Sequence, residues 1–290
     1  VNVGGYAQAE LVWNDRITLI PGMRIDYSNV SVGSYVDGSG NTINLNEEKS
    51  AVGYSPKLAA MIKMSEWLGV FGSVAHTERL PSLDEVFSNY VVNDLDKELS
   101  NNFEAGVTFS FDDLIMGGDA FRLKGTAFRN NVTNYYASYW NGSTVVTEII
   151  PKARYEGLEL EASYWTESIY GSLGASLIRG NNVSTGGYMN AVPADSAFLK
   201  IGYVYRPWNL DFGWKGDFYA AQDRVGADEQ ETAGYVLHNL YAAWKPTDGF
   251  MADSEVRFNV DNVFDKSYRN HLSEDEGAGR SFKLSFAKKF

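Results

Sequence analysis

Apolar and polar residues alternate at period two in stretch after stretch of this chain. Residues 17–27 put Ile17, Leu19, Met23, Ile25 and Tyr27 on one face and Thr18, Arg24 and Asp26 on the other. Residues 158–164 set Leu158, Leu160, Ala162 and Tyr164 against Glu159, Glu161 and Ser163. Leu210, Phe212, Trp214 and Phe218 oppose Asp211, Lys215, Asp217 and Tyr219; Val256, Phe258, Val260 and Phe264 oppose Glu255, Arg257, Asn259 and Asp261. The last residues repeat it, with Phe282, Leu284, Phe286 and Phe290 on one parity and Lys283, Ser285 and Lys289 on the other. Period two specifies strands with one apolar and one wet face. A soluble sandwich alternates in the same way. Two details favour a transmembrane antiparallel β-barrel instead. The wet face is dense in charges of both signs, as a water-filled lumen tolerates, and aromatics (Trp13, Tyr27, Trp165, Tyr205, Trp244) stand at strand ends, where interfacial girdles sit.

Composition narrows the function. The 290 residues carry a formal charge of −12, which argues against nucleic acid as a partner and against docking on anionic lipid through a basic patch. There is no cysteine, so a disulfide framework and a thiolate metal site are both excluded. No run of about 18 apolar residues occurs, so no transmembrane helix is expected; barrel strands escape such a search because only half their residues are apolar.

Connections alternate in length. Asn14-Asp15, 64–67, 112–118, 165–169, Pro207-Trp208 and 246–251 are short, whereas 33–49, 79–98, 139–150, 180–194, 222–233 and 265–279 are long and polar. Short periplasmic turns and long extracellular loops are the outer-membrane arrangement, which puts the carboxy-terminus on the periplasmic side. The pattern predicts about thirteen strands: 3–13, 16–32, 50–63, 67–78, 100–111, 119–138, 152–165, 169–179, 195–206, 208–221, 234–245, 253–264 and 280–290. Bacterial barrels have even counts, so an odd one implies that residues 1–290 form the carboxy-terminal portion of a larger barrel. A miscount by one leaves a self-contained twelve- or fourteen-strand barrel.

Several segments resemble the TonB-dependent outer-membrane receptor family. Asn262-Val-Phe-Asp-Lys-Ser-Tyr-Arg269 is similar to that family's late N-L-F-D-K-x-Y segment. Tyr155-Glu-Gly-Leu-Glu-Leu-Glu161, Ser55-Pro-Lys-Leu58 and Gly279-Arg-Ser-Phe-Lys283 resemble further strands of it, in order. The resemblance implies a twenty-two-stranded barrel, an amino-terminal plug domain absent from these residues, and energy relayed by the TonB complex. It also implies that the apolar carboxy-terminal strand, Phe282, Leu284, Phe286 and Phe290, is read by the barrel-assembly machinery, with outer-membrane lipid and lipopolysaccharide around the wall. A narrower similarity is to the haem and haemoglobin receptor branch. Its F-R-A-P box is matched at Arg79 and Pro81, and its N-P-N-L-type box falls at Val92-Asn93-Asp94-Leu95. That branch places a haem-ligating His between the boxes. Residues 82–91 contain none, and Tyr90 is the conventional haem-ligand type there.

These matches define the candidate ligand-binding residues Tyr90, His76, His271, Arg79, Pro81, Asn93, Asp94 and Leu95, with Tyr90, His76 and His271 as candidate iron ligands. Phe87, Tyr90, Tyr135, Tyr136, Tyr139 and Trp140 offer aromatic faces for a planar ligand or for loop packing. His238 shares the parity of Val236, Leu240 and Trp244, which reads as an interfacial side chain. Glu274-Asp275-Glu276 lacks the spaced ligands of a calcium loop and reads as a solvated tip. No catalytic residue and no built-in cofactor are expected. The expected activity is import of an iron-bearing cargo, haem first, with a haem-carrying protein as a further partner. A ferric siderophore receptor and a passive porin remain the alternatives. A barrel-embedded hydrolase finds no Ser on the face of His238.

Overall fold

The computed structural model describes residues 1–36, 41–88, 91–92, 95–140, 145–227 and 229–289. The strands are β1 (Asn2–Gln8), β2 (Leu11–Trp13), β3 (Ile17–Val36), β4 (Thr42–Lys63), β5 (Leu68–Arg79), β6 (Phe87–Ser88), β7 (Val91–Val92), β8 (Glu98–Asp112), β9 (Ala120–Trp140), β10 (Val145–Trp165), β11 (Ile169–Asn182), β12 (Ser196–Tyr205), β13 (Leu210–Tyr219), β14 (Tyr235–Trp244), β15 (Ser254–Asp261) and β16 (Ser281–Lys288). All but β6 and β7 belong to one fourteen-stranded antiparallel sheet in chain order. Both β1 and β2 pair with β3, so the wall has thirteen staves, as the periodicity predicts. Among the described residues β1 and β16 do not pair with each other, and the sheet is open. No described helix is long and apolar enough to cross a membrane.

The register confirms the two faces. Leu158 lies opposite Leu177 and Ala127, Trp214 opposite Ile201 and Leu240, and Phe258 opposite Leu284 and Ala242, so apolar residues meet apolar residues across the whole wall. This face stays exposed: Leu284 at 75%, Phe282 at 67% and Leu158 at 54%. A continuous exposed apolar face on an unbroken run of hydrogen-bonded strands is a lipid-facing surface. Phe290 lies outside the described residues. On the other face, charges neutralise one another mainly along a strand. Lys215 binds Asp217 at 2.6 Å, and Arg24 and Arg257 bind Asp26 and Glu255; Lys283 reaches diagonally to Asp261 at 2.6 Å. Residues two apart share a face, so a single strand carries both partners. Here too Tyr170 and Tyr241 crowd Gly202, where any Cβ would overlap the end of the Tyr170 ring and the Tyr241 hydroxyl; the two hydroxyls meet at 2.8 Å, and Tyr170 donates to Asp211 at 2.6 Å.

Two departures from the sequence reading have local causes. The strand expected over 3–13 is interrupted at Ala9-Glu10. These residues face Pro21, which has no N–H to complete the ladder, and only Ala9 N→Pro21 O (3.1 Å) remains. The loops expected over 33–49 and 139–150 are largely strand: Tyr35 pairs with Ile43 and Tyr139 with Val146. Polar residues fill both faces of 33–49, and in 139–150 the adjacent pairs Val145-Val146 and Ile149-Ile150 break the period-two pattern, so both segments read as loops. They are hairpins that outrun the bilayer into water, where neither face needs to be apolar; about ten tilted residues suffice to cross. At the opposite rim Asn14 and Asp15 both take positive φ (51° and 52°) in a tight turn closed by Arg16 N→Trp13 O (3.1 Å), at the short connection expected there.

The face assignment makes a quantitative prediction. Leu160→Arg places a charge in the lipid-facing band and should cost about 2–4 kcal/mol in folding into lipid vesicles. Glu159→Gln, one residue away on the lumen face, should stay within about 0.5 kcal/mol. Equal costs in denaturant titrations of the two variants would mean that the faces are assigned wrongly.

Candidate functional site

The β4–β5 ladder ends at Lys57 opposite Ala75. Tyr54 N points toward β5, because it donates to Glu78 Oε2 at 3.1 Å. By strand alternation the N position of Pro56 points the same way, and proline has no proton there. Above this point side chains replace the backbone ladder. Lys97 Nζ donates to Val52 O at 3.0 Å and binds Glu78 Oε2 at 2.6 Å. The Lys97 hydrogen bond is the main reason that the Glu78 carboxyl titrates below its ordinary value.

The Arg79–Pro81 box leaves the sheet at the top of β5. Ser82 and Glu85 form a reciprocal cap on α1 (Leu83–Val86): Ser82 N donates to Glu85 Oε2 at 2.8 Å, and Glu85 N to Ser82 Oγ at 3.4 Å. Arg79 Nη1 donates to both oxygens of Glu85 (2.9 and 3.0 Å), and Nε and Nη2 donate to Glu98 (3.2 and 3.3 Å). Its guanidinium lies 4.6 Å from the centre of the Tyr136 ring. Glu98 also accepts from Tyr136 N at 3.1 Å. One arginine thus ties the loop after β5, the start of β8 and the β9–β10 hairpin together. Burial pushes the Tyr136 hydroxyl up to about 12. Pro81 is buried, as are Val86 and Leu95 at 3% and 5% exposure. Beneath the clamp, on the lumen side, lies a cavity of about 610 Å³ lined by Arg24, Asp26, Lys57, Thr77, Arg79 and Glu98.

The other sequence candidates fall in different places. Tyr90, Asn93 and Asp94 lie outside the described residues. His76 pairs with Asn101 in register, its Nδ1 2.9 Å from Asn101 Oδ1, on the parity of the outward Val74 and Phe103. His271 is buried, its side chain 2% exposed, with Nδ1 at 2.9 Å from Thr232 Oγ1 and Nε2 at 3.2 Å from Glu229 Oε1. Glu229 Oε1 in turn accepts from Ala191 N at 3.0 Å, and Gln222 Nε2 donates to Val192 O at 2.8 Å. His271 therefore belongs to a lock between three loops of the long-loop rim. The first of these packs Met189 and Val192 onto Val132 and Ala153 of the wall, an approach that a Cβ at Gly180 would block. Among the described residues no group of three or more His, Asp or Glu could hold a metal. Sequence reasoning passed over Glu85, Glu98, Glu78 and Lys97. Only Glu85 carried a local signal, as the last residue of the Ser82–Glu85 capping box.

An open antiparallel wall with a lipid face, a charged lumen face, short turns on one rim and locked loops on the other is a portion of an outer-membrane-type barrel. The sequence model of the family described as TonB dependent receptor-like, beta-barrel matches residues 1–263. The chain belongs to this family, one of receptors and not of enzymes. It is 27% identical over 282 residues to a TonB-dependent heme receptor A of Haemophilus ducreyi, covering 82% of this chain and 38% of that protein. Its fold matches the copper transporter OprC with a TM-score of 0.84 at 21% identity, over 98% of this chain and 47% of that one. The Serratia marcescens hemophore receptor HasR, solved with its hemophore HasA and heme, matches with a TM-score of 0.76 at 18% identity, over 98% and 50%. The chain spans half the length or less of these relatives.

The clamp and the seam respond to different perturbations. Arg79→Lys cannot fork to two carboxylates, so hydrogen exchange across 80–97 should rise about tenfold or more while the transmembrane part of β5 is unchanged; equal exchange in both proteins removes the clamp from the account. At the seam, Glu78 has a folded pKa below its ordinary value near 4.5. Its contribution is complete above that value and is lost as pH falls through the depressed one. Exchange of the Tyr54 amide, corrected for its intrinsic pH dependence, should rise on acidification through that window. Glu78→Gln should abolish the step, and a step that survives this substitution belongs to another group.

Proposed function

We propose that this chain is part of an active-transport receptor that takes up an iron-bearing cargo, haem first, with energy relayed by TonB acting through a plug. The observation that carries the reading is the Arg79 clamp. It fixes both ends of the segment between Pro81 and Leu95, which holds the one Tyr of residues 82–91, at the top of a charged lumen. The names of the curated relatives support haem over other iron cargo. The same site on the same fold suits a ferric siderophore equally in outline. Haem is preferred because the Arg79–Pro81 box and the segment up to Leu95 resemble those of haem receptors.

Tyr90 is the iron ligand in this reading. Phenolate oxygen is an established haem-iron ligand, and the alternatives are less available. His271 is buried in the loop lock with its Nδ1 held by Thr232 Oγ1, and His76 sits on the outward parity beside Asn101. A haem-carrying protein would meet the long loops and the two protruding hairpins. The wall supplies shape and charge, and no covalent chemistry.

Titrating the full-length receptor with haemin tests this. A Soret shift is expected, with affinity reduced about tenfold or more in Tyr90→Phe. His76→Ala should bind as wild type does, and His271→Ala should weaken binding through loop order and leave the ligand-field spectrum unchanged. The absence of any spectral change sinks haem as cargo. A spectrum altered in His271→Ala and not in Tyr90→Phe moves the ligand to the histidine.

A further inference from the structure

The outward face of β9 runs Phe121, Leu123, Ala127 and then Arg129. The outward face of β10 runs Tyr164, Leu160, Leu158, then Glu156 and Arg154. The change from apolar to charged falls at the same level on both strands, at the upper edge of the lipid-facing band. There Asn131 Oδ1 accepts from Arg129 Nε and from Arg154 Nε, each at 3.3 Å. Two guanidinium groups are therefore held side by side by one neutral oxygen. The carboxylate beside them, Glu156, comes only to 4.0 Å of Arg129 and is itself 43% exposed. This contrasts with the next cationic position along the wall, where Asp195 binds Arg179 at 2.8 Å and Arg224 at 3.2 Å.

Directly below Arg129 the apolar face is hollowed. Ala60, Gly72, Ala105 and Ala127 stand opposite one another on four successive strands. With Leu58, Val74 and Phe103 they form a groove of about 550 Å³ that ends at Arg129. A groove in this position is filled by lipid, and its charged end selects which lipid. Paired guanidinium groups match the geometry of a phosphate, and the bilayer boundary is where headgroup phosphates lie.

We propose that Arg129 and Arg154, with the groove beneath them, bind a phosphate-bearing lipid of the outer leaflet. The phosphate sits on the two guanidinium groups and one acyl chain lies in the groove. The site faces away from the lumen, so it is independent of the cargo, and a failure of the haem reading leaves it untouched.

The experiment uses the full-length receptor in detergent, titrated with bisphosphorylated lipid A and read by native mass spectrometry. Wild type should retain the lipid through gas-phase release of the micelle. The Arg129→Gln/Arg154→Gln double variant should lose affinity about tenfold or more, and Ala127→Leu, which fills the groove and keeps both charges, should also weaken binding. Heat-modifiable migration on gels shows that each variant is folded. Dephosphorylated lipid A should bind the wild type as weakly as lipid A binds the double variant. Retention unaffected by the double variant overturns the proposal. So does displacement of the lipid by millimolar inorganic phosphate alone, which marks a free-anion site.

Discussion

Inside a bilayer no water is available to backbone N–H and C=O groups, so each must be paired within the protein. For this chain one antiparallel ladder from β1 to β16 meets that requirement for every stave between its two edge strands, and the rest of the structure follows from it. Because the ladder leaves only side chains to face outward, the two faces can differ completely, and period-two alternation is the direct record of that freedom. The wall also has little interior of its own. Few residues are buried, and they concentrate where loops fold back on the rim: Met189 and Val192 on Val132 and Ala153, and Val86 and Leu95 near the Arg79 clamp. Stability in the membrane band therefore resides in backbone pairing and lipid contact, and packing matters mainly at the long-loop rim.

The places where the ladder fails are instructive. Pro21 removes one donor, and the break it leaves is bounded by continuous register on both sides. Pro56 removes a donor at the top of the membrane band, and there the ladder does not resume. Glu78 and Lys97 take over, one accepting from Tyr54 N and the other donating to Val52 O. A carboxylate and an ammonium can satisfy backbone groups only where their own charge is hydrated, so this substitution belongs above the hydrocarbon and not within it. Its effect is to free the box segment from β4 and to hand its position to Arg79, Glu85 and Glu98.

How much was legible follows from the range of the interactions. The strands, their order and their faces depend on parity within ten residues, and the sequence displays that directly. The extended hairpins were missed because, outside the bilayer, neither face has to stay apolar or polar, and the period-two pattern that separates strand from loop lapses. The Arg79 box was located by its resemblance to haem receptors, but its chemistry was not. Glu98 is remote in sequence from Arg79 and becomes its partner only because β5 and β8 pair in that register. His271 shows the same limit more sharply. A histidine beside three acidic residues looks like a candidate ligand, yet the ring is buried and its Nδ1 is held by Thr232 from a different loop.

Charge placement joins these levels. A chain of net charge −12 has to keep its carboxylates out of lipid, and it does so by pairing them along lumen-facing strands, as in Lys215–Asp217 and Arg257–Glu255. Such i, i+2 pairs require no register with a neighbour, so they form on each strand independently and keep the lumen wall near neutrality locally. On the outward face this device is unavailable within the membrane band, because both partners would meet hydrocarbon. Charge reappears there at the boundary, where Arg129 and Arg154 stand beside Glu156, and the cation on both strands is arginine. That residue tolerates the position better than lysine does, since its delocalised charge is less strongly hydrated. The acidic total is thus compatible with a basic rim. The sign of the whole chain reflects its lumen and loops, and the sign of the outer boundary is set by the headgroups it faces.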